Sequence, residues 1–185
     1  MIIIGITGTI GAGKGTIVDY LISKKGFKHF SARELIVEEI LKRGLDNNRD
    51  NMVFVANDLR SKYGSGYVAD ELYRRAYISG DNCVIESIRT VGEINSLKDK
   101  GSFILLAVDA EPRTRFERIL DRKSVTDNVS FDKFLEDEKR EMESDDPNKQ
   151  NLKQCIDMAD FVIDNNGTLK ELQSKIEEIL KIIKI

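Results

Sequence analysis

The chain has few of the residues on which several kinds of functional site depend. Its 185 residues include two cysteines, one histidine, two prolines and no tryptophan. Cys83 and Cys155 cannot supply a disulfide framework or a zinc site built from thiolates, and His29 on its own excludes a His-rich metal cluster. With so few prolines, no Pro-rich linker divides the chain. Functions that depend on disulfide staples, thiolate zinc or several histidines are therefore excluded.

An excess of one charge and long apolar runs are also missing. The 32 acidic and 29 basic residues nearly cancel to a formal net charge of −3, whereas nucleic-acid binders normally carry a basic excess. The opening apolar run, Met1–Ile6, is short and has no basic leader, and no run approaches the roughly 20 apolar residues of a membrane span. We therefore predict a cytoplasmic monomer or small homo-oligomer that binds neither a nucleic acid polymer nor a membrane.

Short apolar stretches alternate with amphipathic ones along the chain. The stretches rich in β-branched residues predict strands at 2–7, 27–30, 83–86, 103–108 and 161–164. Spacings of three and four between apolar residues, together with capping residues, predict helices at 16–24, 31–43, 50–62, 67–79, 90–100, 113–122, 131–143, 148–158 and from 168 onward. This alternation predicts an α/β fold, a three-layer α/β/α domain around a five-stranded parallel sheet.

The strongest motif is a glycine-rich loop between the first predicted strand and the first predicted helix. Its glycines let backbone N–H groups approach phosphate oxygens, the helix N-terminus adds its positive dipole end, and Lys14 can reach the outer phosphates. A strict phosphate loop has Ser or Thr directly after the lysine, but here Gly15 intervenes, so Thr16 is the candidate for Mg²⁺ or phosphate. The predicted phosphate contacts are Gly8, Thr9, Ile10, Gly11, Ala12, Gly13, Lys14, Gly15 and Thr16.

This loop resembles that of the P-loop nucleoside monophosphate kinases. Gly13–Thr16 resembles adenylate kinases, whereas Ile4–Gly11 and the later stretch Asp160–Leu172 resemble dephospho-CoA kinases. The resemblance implies a P-loop NTPase fold with ATP and Mg²⁺ as cofactors. It also implies one domain over 1–185, with a core at about 1–30, 81–121 and 146–185. The remaining helical stretches would be an acceptor-binding insertion at about 31–80 and a short lid at about 122–145.

The third predicted strand ends in Glu86-Ser-Ile-Arg89-Thr90, which resembles the Asp-Gly-Phe-Pro-Arg-Thr segment of adenylate kinases. The resemblance implies that Arg89 binds the acceptor phosphate and that Glu86 organises Mg²⁺, partly through water. A surface ion pair between Glu86 and Arg89 is the alternative. Glu93 stands where adenylate kinases have a glutamine that reads the base, although it also completes a capping box with Thr90. Glu93 is therefore a candidate for contacting the acceptor, and the alternative is that it only caps the helix.

Further arginines follow the family pattern less closely. Arg33 and Arg60 are additional candidates for binding the acceptor. Arg118 and Arg122 resemble the Arg-x-x-x-Arg that enters the lid of adenylate kinases, which implies that both act in catalysis with Lys14 and Arg89 and that Arg118 also contacts ATP. A loose basic face on a charged helix is the alternative for this pair.

These features predict a kinase that transfers the γ-phosphoryl group of ATP to a monophosphate, namely a (deoxy)nucleoside monophosphate. Dephospho-CoA kinases carry an acidic motif after the second strand, but Phe30-Ser31-Ala32 has no acid there, although Glu86 could act as a base. The alternatives left open are a dephospho-CoA kinase-like enzyme, a kinase of another phospho-metabolite such as an isoprenoid-precursor phosphate, and a nucleotide-binding switch or accessory ATPase.

Overall fold

The computed structural model, which describes residues 1–121 and 129–185, contains a sheet of five parallel strands. The strands are β1 (Ile3–Gly8), β2 (Lys28–Ser31), β3 (Cys83–Glu86), β4 (Phe103–Asp109) and β5 (Phe161–Asp164), in the spatial order β2-β3-β1-β4-β5. In the register, Ile6 lies beside Glu86 and Leu106. The predicted α/β fold with a five-stranded parallel sheet is confirmed.

Helices cover both faces of this sheet. They are α1 (Lys14–Lys25), α2 (Ala32–Lys42), α3 (Arg49–Tyr63), α4 (Tyr67–Ser79), α5 (Val91–Lys98), α6 (Pro112–Asp121), α7 (Phe131–Met142), α8 (Leu152–Asp157) and α9 (Leu169–Ile182). Within the described ranges, none of these helices has the length and apolar character that a membrane crossing requires.

The alternation of side chains along the buried strands separates two apolar cores. Ile4 and Ile6 of β1 pack with α1 and α9, whereas Ile3 packs with α2 to α5 and α8 on the opposite face. Gly5 points to this second face, where an added Cβ would lie 2.5 Å from the Cδ1 atom of Ile88. Both faces of β1 are therefore covered, which fixes the loop after β1 at the centre of the sheet edge.

Several helix boundaries differ from the sequence prediction by one or more residues, and capping side chains explain two of the differences. α3 begins at Arg49 because the Asn48 side chain accepts a hydrogen bond from the backbone N–H of Asn51 and caps the helix. α8 is shorter than the predicted 148–158 because Asn151 caps it by accepting from the N–H of Gln154. The division into core, insertion and lid stays a prediction, and residues 122–128 of the predicted lid lie outside the described residues.

Candidate active site

A cleft of about 420 Å³ opens at the edge of the sheet where β1, β2 and β3 end. Parallel α/β sheets bind ligands at this edge, outside the carboxyl ends of their strands. The predicted site residues that line the cleft are Ile10, Gly11, Gly13, Lys14, Gly15, Thr16, Arg33, Arg60, Glu86 and Arg89. Residues with no predicted role that also line it include Asp19, Ile36, Arg49, Met52, Ser87, Glu141 and Gln150. One cleft thus joins the phosphate loop to the predicted acceptor residues.

The phosphate loop passes very close to the backbone of β4 and α6. A Cβ atom at Gly8 would lie 2.0 Å from the carbonyl oxygen of Val108, and one at Gly11 would lie 2.4 Å from that of Arg115. Both glycines also have positive φ angles, of 137° and 78°. Only glycine fits these two positions, so the tight loop ahead of α1 depends on them.

Lys14 lies over the loop that precedes it. Its Nζ atom donates to the carbonyl oxygens of Gly8 and Thr9, at 2.9 and 2.8 Å. Beneath the loop, Thr9 donates its hydroxyl to Asp109, and the Asn165 amide donates to the carbonyl oxygen of Ala12 at 2.8 Å. Thr9 and Ala12 are buried, and these two hydrogen bonds tie the loop to the end of β4 and to the residue after β5.

Glu86 is paired with His29 rather than with Arg89. The Nε2 atom of His29 lies 3.2 Å from Oε2 of Glu86. Burial alone would raise the pKa of Glu86, but the hydrogen bond from His29 and the charges of Lys14 and Arg89 outweigh it and lower this pKa. The same hydrogen bond raises the pKa of His29. Glu86 therefore faces the cleft as a carboxylate.

Arg89 is held by a carboxylate and an amide from two later segments. Its Nη1 atom donates to Oε2 of Glu141 on α7 and to Oε1 of Gln150, both at 2.6 Å. Among the described residues, its Nε and Nη2 atoms donate no hydrogen bond, and the side chain is 26% exposed at the cleft. Arg89 thus keeps donors for an anion, as the predicted role requires.

Glu141 bridges Arg89 to a second arginine. Its Oε1 atom accepts from Nη2 of Arg49 at 2.7 Å. Burial would raise the pKa of Glu141, but the charges of Arg89 and Arg49 and their hydrogen bonds lower it to about 2. Arg49 also faces Asp137, with Nε and Oδ2 3.7 Å apart. The cleft wall therefore contains two guanidinium groups bridged by one carboxylate, and Asp137 contacts Arg49 without lining the cleft.

Arg60 and Glu93 form a buried ion pair, in which each of the two side chains is 1% exposed. Nε and Nη2 of Arg60 donate to Oε1 of Glu93 at 3.0 and 2.8 Å. Oε2 of Glu93 accepts from the backbone N–H groups of Arg89 and Thr90, and the capping box predicted for α5 is present. The other terminal nitrogen of Arg60, Nη1, is buried and has no hydrogen-bond partner within the described parts of the chain, and Arg60 lines the cleft. Glu93 itself does not line the cleft, so the structure gives it the capping role, and its contact with an acceptor stays a prediction.

α7 contacts both halves of the cleft. Glu138 of α7 forms an ion pair with the buried Arg115, whose Nη1 atom donates to the carbonyl oxygen of Ile10 in the phosphate loop at 3.3 Å. One helical turn further on, Glu141 binds the arginines of the acceptor side. α7 therefore links the loop that would hold the donor to the residues that would hold the acceptor.

The predicted lid arginines are only partly described. Nη2 of Arg118 donates to the carbonyl oxygen of Asn165 at 2.9 Å, and its Nη1 is buried with no hydrogen-bond partner in the ranges 1–121 and 129–185. Arg122 lies outside the described residues. Arg33 is exposed at the rim of the cleft, which is compatible with binding an anionic ligand. The roles of these three arginines stay predictions.

Sequence reasoning missed Arg49, Ser87, Glu141 and Gln150. A signal for Arg49 was available, because a basic residue in the first turn of a helix opposes the helix dipole and so calls for another reason to be there. The predicted start of this helix at residue 50 left Arg49 outside it. For Glu141 and Gln150 the sequence carries no such signal, since each reaches Arg89 across more than 50 residues.

The sheet order and the phosphate loop after the central strand β1 define a P-loop kinase-like fold. The family model described as "AAA domain" matches residues 4–144. The chain is 30% identical over 184 residues to a UPF0200 protein of Methanococcus maripaludis strain S2, with 98% of this chain and 97% of the relative covered. It is 31% identical over 186 residues to a UPF0200 protein of Thermococcus kodakarensis, with 97% and 96% covered. The chain belongs to this AAA domain family and to the UPF0200 proteins.

Solved structures of kinases share the fold at low sequence identity. A gluconokinase from Sinorhizobium meliloti 1021 matches with a TM-score of 0.61 at 13% identity, covering 98% of this chain and 93% of that one. A shikimate kinase from Acinetobacter baumannii matches with a TM-score of 0.54 at 16% identity, covering 100% and 96%. At these identities the likeness concerns the fold and not the substrate.

Proposed function

We propose that this protein is an ATP-dependent kinase that transfers the γ-phosphoryl group to a small monophosphate, a nucleoside monophosphate in the first instance. The observation that carries the proposal is that Lys14, Glu86 and Arg89 line one cleft. Phosphoryl transfer is catalysed mainly by positioning and by neutralising charge, so a lysine, a carboxylate for a metal ion and arginines form a sufficient set. The solved structures named as a gluconokinase and a shikimate kinase share this fold, which supports kinase chemistry and leaves the acceptor to be argued from the cleft.

On the donor side, the loop Gly8–Thr16 would bind the phosphates of ATP, and Lys14 would exchange its contacts with loop carbonyls for contacts with phosphate oxygens. The donor set also fits Mg²⁺, because Thr16 and the ionised Glu86 line the same cleft and Mg²⁺ prefers oxygen ligands such as a hydroxyl and a carboxylate. When bound, Mg²⁺ would neutralise charge on the donor phosphates. Arg118 and Arg122 would add cations from the lid side.

On the acceptor side, Arg89 lines the cleft and would bind the acceptor phosphate through Nε and Nη2, since Nη1 already donates to Glu141 and Gln150. Arg33 at the rim, Arg49 and the unpaired Nη1 of Arg60 add positive charge around it. Apolar residues of α2 and α3 line the same cleft and would contact the non-phosphate part of the acceptor; they are Ile36, Met52, Val53 and Ala56. An anion next to these apolar residues fits a nucleoside monophosphate.

The state of Glu86 favours a phosphate acceptor over a hydroxyl acceptor. A general base works best with a pKa near the working pH, but the pKa of Glu86 is lowered. Such a carboxylate suits a metal ion better than a proton. Dephospho-CoA and an isoprenoid-precursor phosphate stay as alternative acceptors, and a nucleotide-binding switch is the alternative of a different class. The division into a core, an acceptor-binding insertion at about 31–80 and a lid at about 122–145 is part of this proposal.

The test is a coupled measurement of ADP release with ATP and Mg²⁺. Each reaction contains one nucleoside monophosphate, the matching nucleoside, dephospho-CoA or a phosphorylated isoprenoid precursor. Turnover that a monophosphate stimulates and its nucleoside does not is the expected result. Turnover with hydroxyl acceptors only would show that the acceptor assignment is wrong. ATP binding without turnover on any acceptor would favour the switch.

A further inference from the structure

Ser87, directly after β3, has a left-handed backbone conformation that residues with a Cβ atom rarely adopt. Its φ angle is 70°, and among the described residues the only other non-glycine with positive φ is Lys184, at 60°. The left-handed region brings Cβ too close to the following carbonyl oxygen, so serine adopts it at a cost in free energy. Strained residues of this kind cluster at functional sites, because the surrounding structure must hold them in place.

The turn itself explains the φ angle but not the serine. The backbone N–H groups of Ser87 and Ile88 both donate to the carbonyl oxygen of Ile6, at 3.0 and 3.2 Å. This turn buries Ile88 in the core, while Glu86 and Arg89 on either side line the cleft. Glycine would make the same turn without strain. What serine adds at this position is a hydroxyl group.

The Ser87 hydroxyl is at the cleft and has no hydrogen-bond partner among residues 1–121 and 129–185. It lies in the chain between the carboxylate of Glu86 and the guanidinium of Arg89. We propose that the Ser87 hydroxyl donates a hydrogen bond to the anionic group of the acceptor that Arg89 binds. The inference rests on the proposed function and adds to it a contact that sequence reasoning did not identify.

Two substitutions separate the hydroxyl from the strain. Ser87→Gly removes both the hydroxyl and the backbone strain. Ser87→Ala removes only the hydroxyl, because it keeps the Cβ atom that causes the strain. Lys184→Gly is the matched control, because Lys184 has the same backbone conformation but is exposed after α9, away from the cleft. The readouts are the melting temperature and its rise with inorganic phosphate, measured with the phosphate loop saturated by the Mg²⁺ complex of β,γ-imido ATP.

We expect the melting temperature of Ser87→Gly to equal or exceed that of the wild type, while its affinity for phosphate falls about tenfold, the effect of losing one hydrogen bond to a charged group. Ser87→Ala should lose the same affinity. Lys184→Gly should be at least as stable as the wild type and bind phosphate equally well. A residue that only shapes the turn would not give this combination of retained stability and lost affinity.

Three results would overturn the inference. One is equal phosphate affinity in the wild type and both Ser87 variants. Another is a wild type that phosphate does not stabilise. The last is a clear fall in melting temperature for Ser87→Gly, which would mean that the serine supports the fold. Turnover separates this inference from the proposed function: weaker phosphate binding by the Ser87 variants, with no acceptor turned over by the wild type, would contradict the proposed reaction and leave the Ser87 contact supported.

Discussion

The two halves of the cleft are built in different ways. On the donor side, one continuous stretch, Gly8–Thr16, presents backbone groups and one lysine. On the acceptor side, side chains from separate segments meet: Arg49 and Glu141 are 92 residues apart in the chain, and Arg89 and Glu141 are 52 apart. The donor side is therefore specified by local sequence, whereas the acceptor side exists only after the helices have packed and its ion pairs have formed.

The two halves also differ in the interactions that stabilise them. The loop is shaped mainly by close backbone contacts at Gly8 and Gly11, with Asp109 accepting a hydrogen bond from Thr9 and Arg115 donating one to Ile10. The acceptor side depends on buried carboxylates, and removing one partner of a buried ion pair leaves an uncompensated charge. We therefore expect substitutions on the acceptor side to affect both stability and binding, and substitutions of Lys14 to affect chemistry with little effect on stability.

The largest effect on stability should come from Glu93→Gln. The change leaves the guanidinium of Arg60 buried without its carboxylate, and we expect a loss of about 3–5 kcal/mol in the free energy of unfolding, measured by urea denaturation. The control is Glu143→Gln, which breaks a pair with Lys153 whose side chains are 65% and 58% exposed and should leave stability close to that of the wild type. Equal effects of the two changes would contradict the view that buried ion pairs hold the acceptor side.

The corresponding change on the donor side is Lys14→Ala. We expect turnover to fall by about a hundredfold to a thousandfold, since a cation at the transferred phosphates is lost. The melting temperature should stay close to that of the wild type. Lys24→Ala, at an exposed position late in α1, is the control and should turn over normally. If Lys14→Ala kept full turnover, the glycine-rich loop would not be the donor site.

Acid should weaken the acceptor side through Glu141. Its pKa is about 2 in the folded protein against an ordinary value of 4.5, so its contribution to stability is present above pH 4.5 and is lost as the pH falls through about 2. The contribution is on the order of 3 kcal/mol. We expect wild-type stability in urea to fall more steeply with acid than that of Glu141→Gln. Parallel curves for the two proteins would show that Glu141 is not the group responsible.

The smallest effect should come from Arg89→Ala. We expect kcat/KM for the acceptor to fall about tenfold to a hundredfold, as when a charge-assisted hydrogen bond is lost, while the affinity for ATP stays unchanged. Arg74→Ala is the matched control, because Arg74 is exposed on α4 and pairs with Glu71. Equal loss of ATP binding in Arg89→Ala and Lys14→Ala would place Arg89 on the donor side and remove the distinction between the two halves.

The sequence was informative where structure is local. The strands, the phosphate loop and the capping boxes of α5 and α9 depend on residues a few positions apart, and all of them are present. The neighbours of Arg89 could not be predicted in the same way. The motif offered Glu86 only as an alternative ion-pair partner of Arg89, and tertiary packing instead brings Glu141 and Gln150 to Arg89 and His29 to Glu86. Such contacts follow from how α7 and the segment before α8 pack, which no spacing in the chain encodes.

The position of α7 limits how the cleft can rearrange. Glu138 holds Arg115 beside the phosphate loop, and Glu141, one turn along the same helix, holds Arg49 and Arg89. Over a single turn a helix behaves as a rigid rod, so a rotation or shift of α7 displaces both carboxylates at once. The two halves of the cleft are therefore coupled through α7. We expect a movement of α7 that releases Arg49 and Arg89 from Glu141 also to disturb the contact of Glu138 with Arg115 beside the phosphate loop.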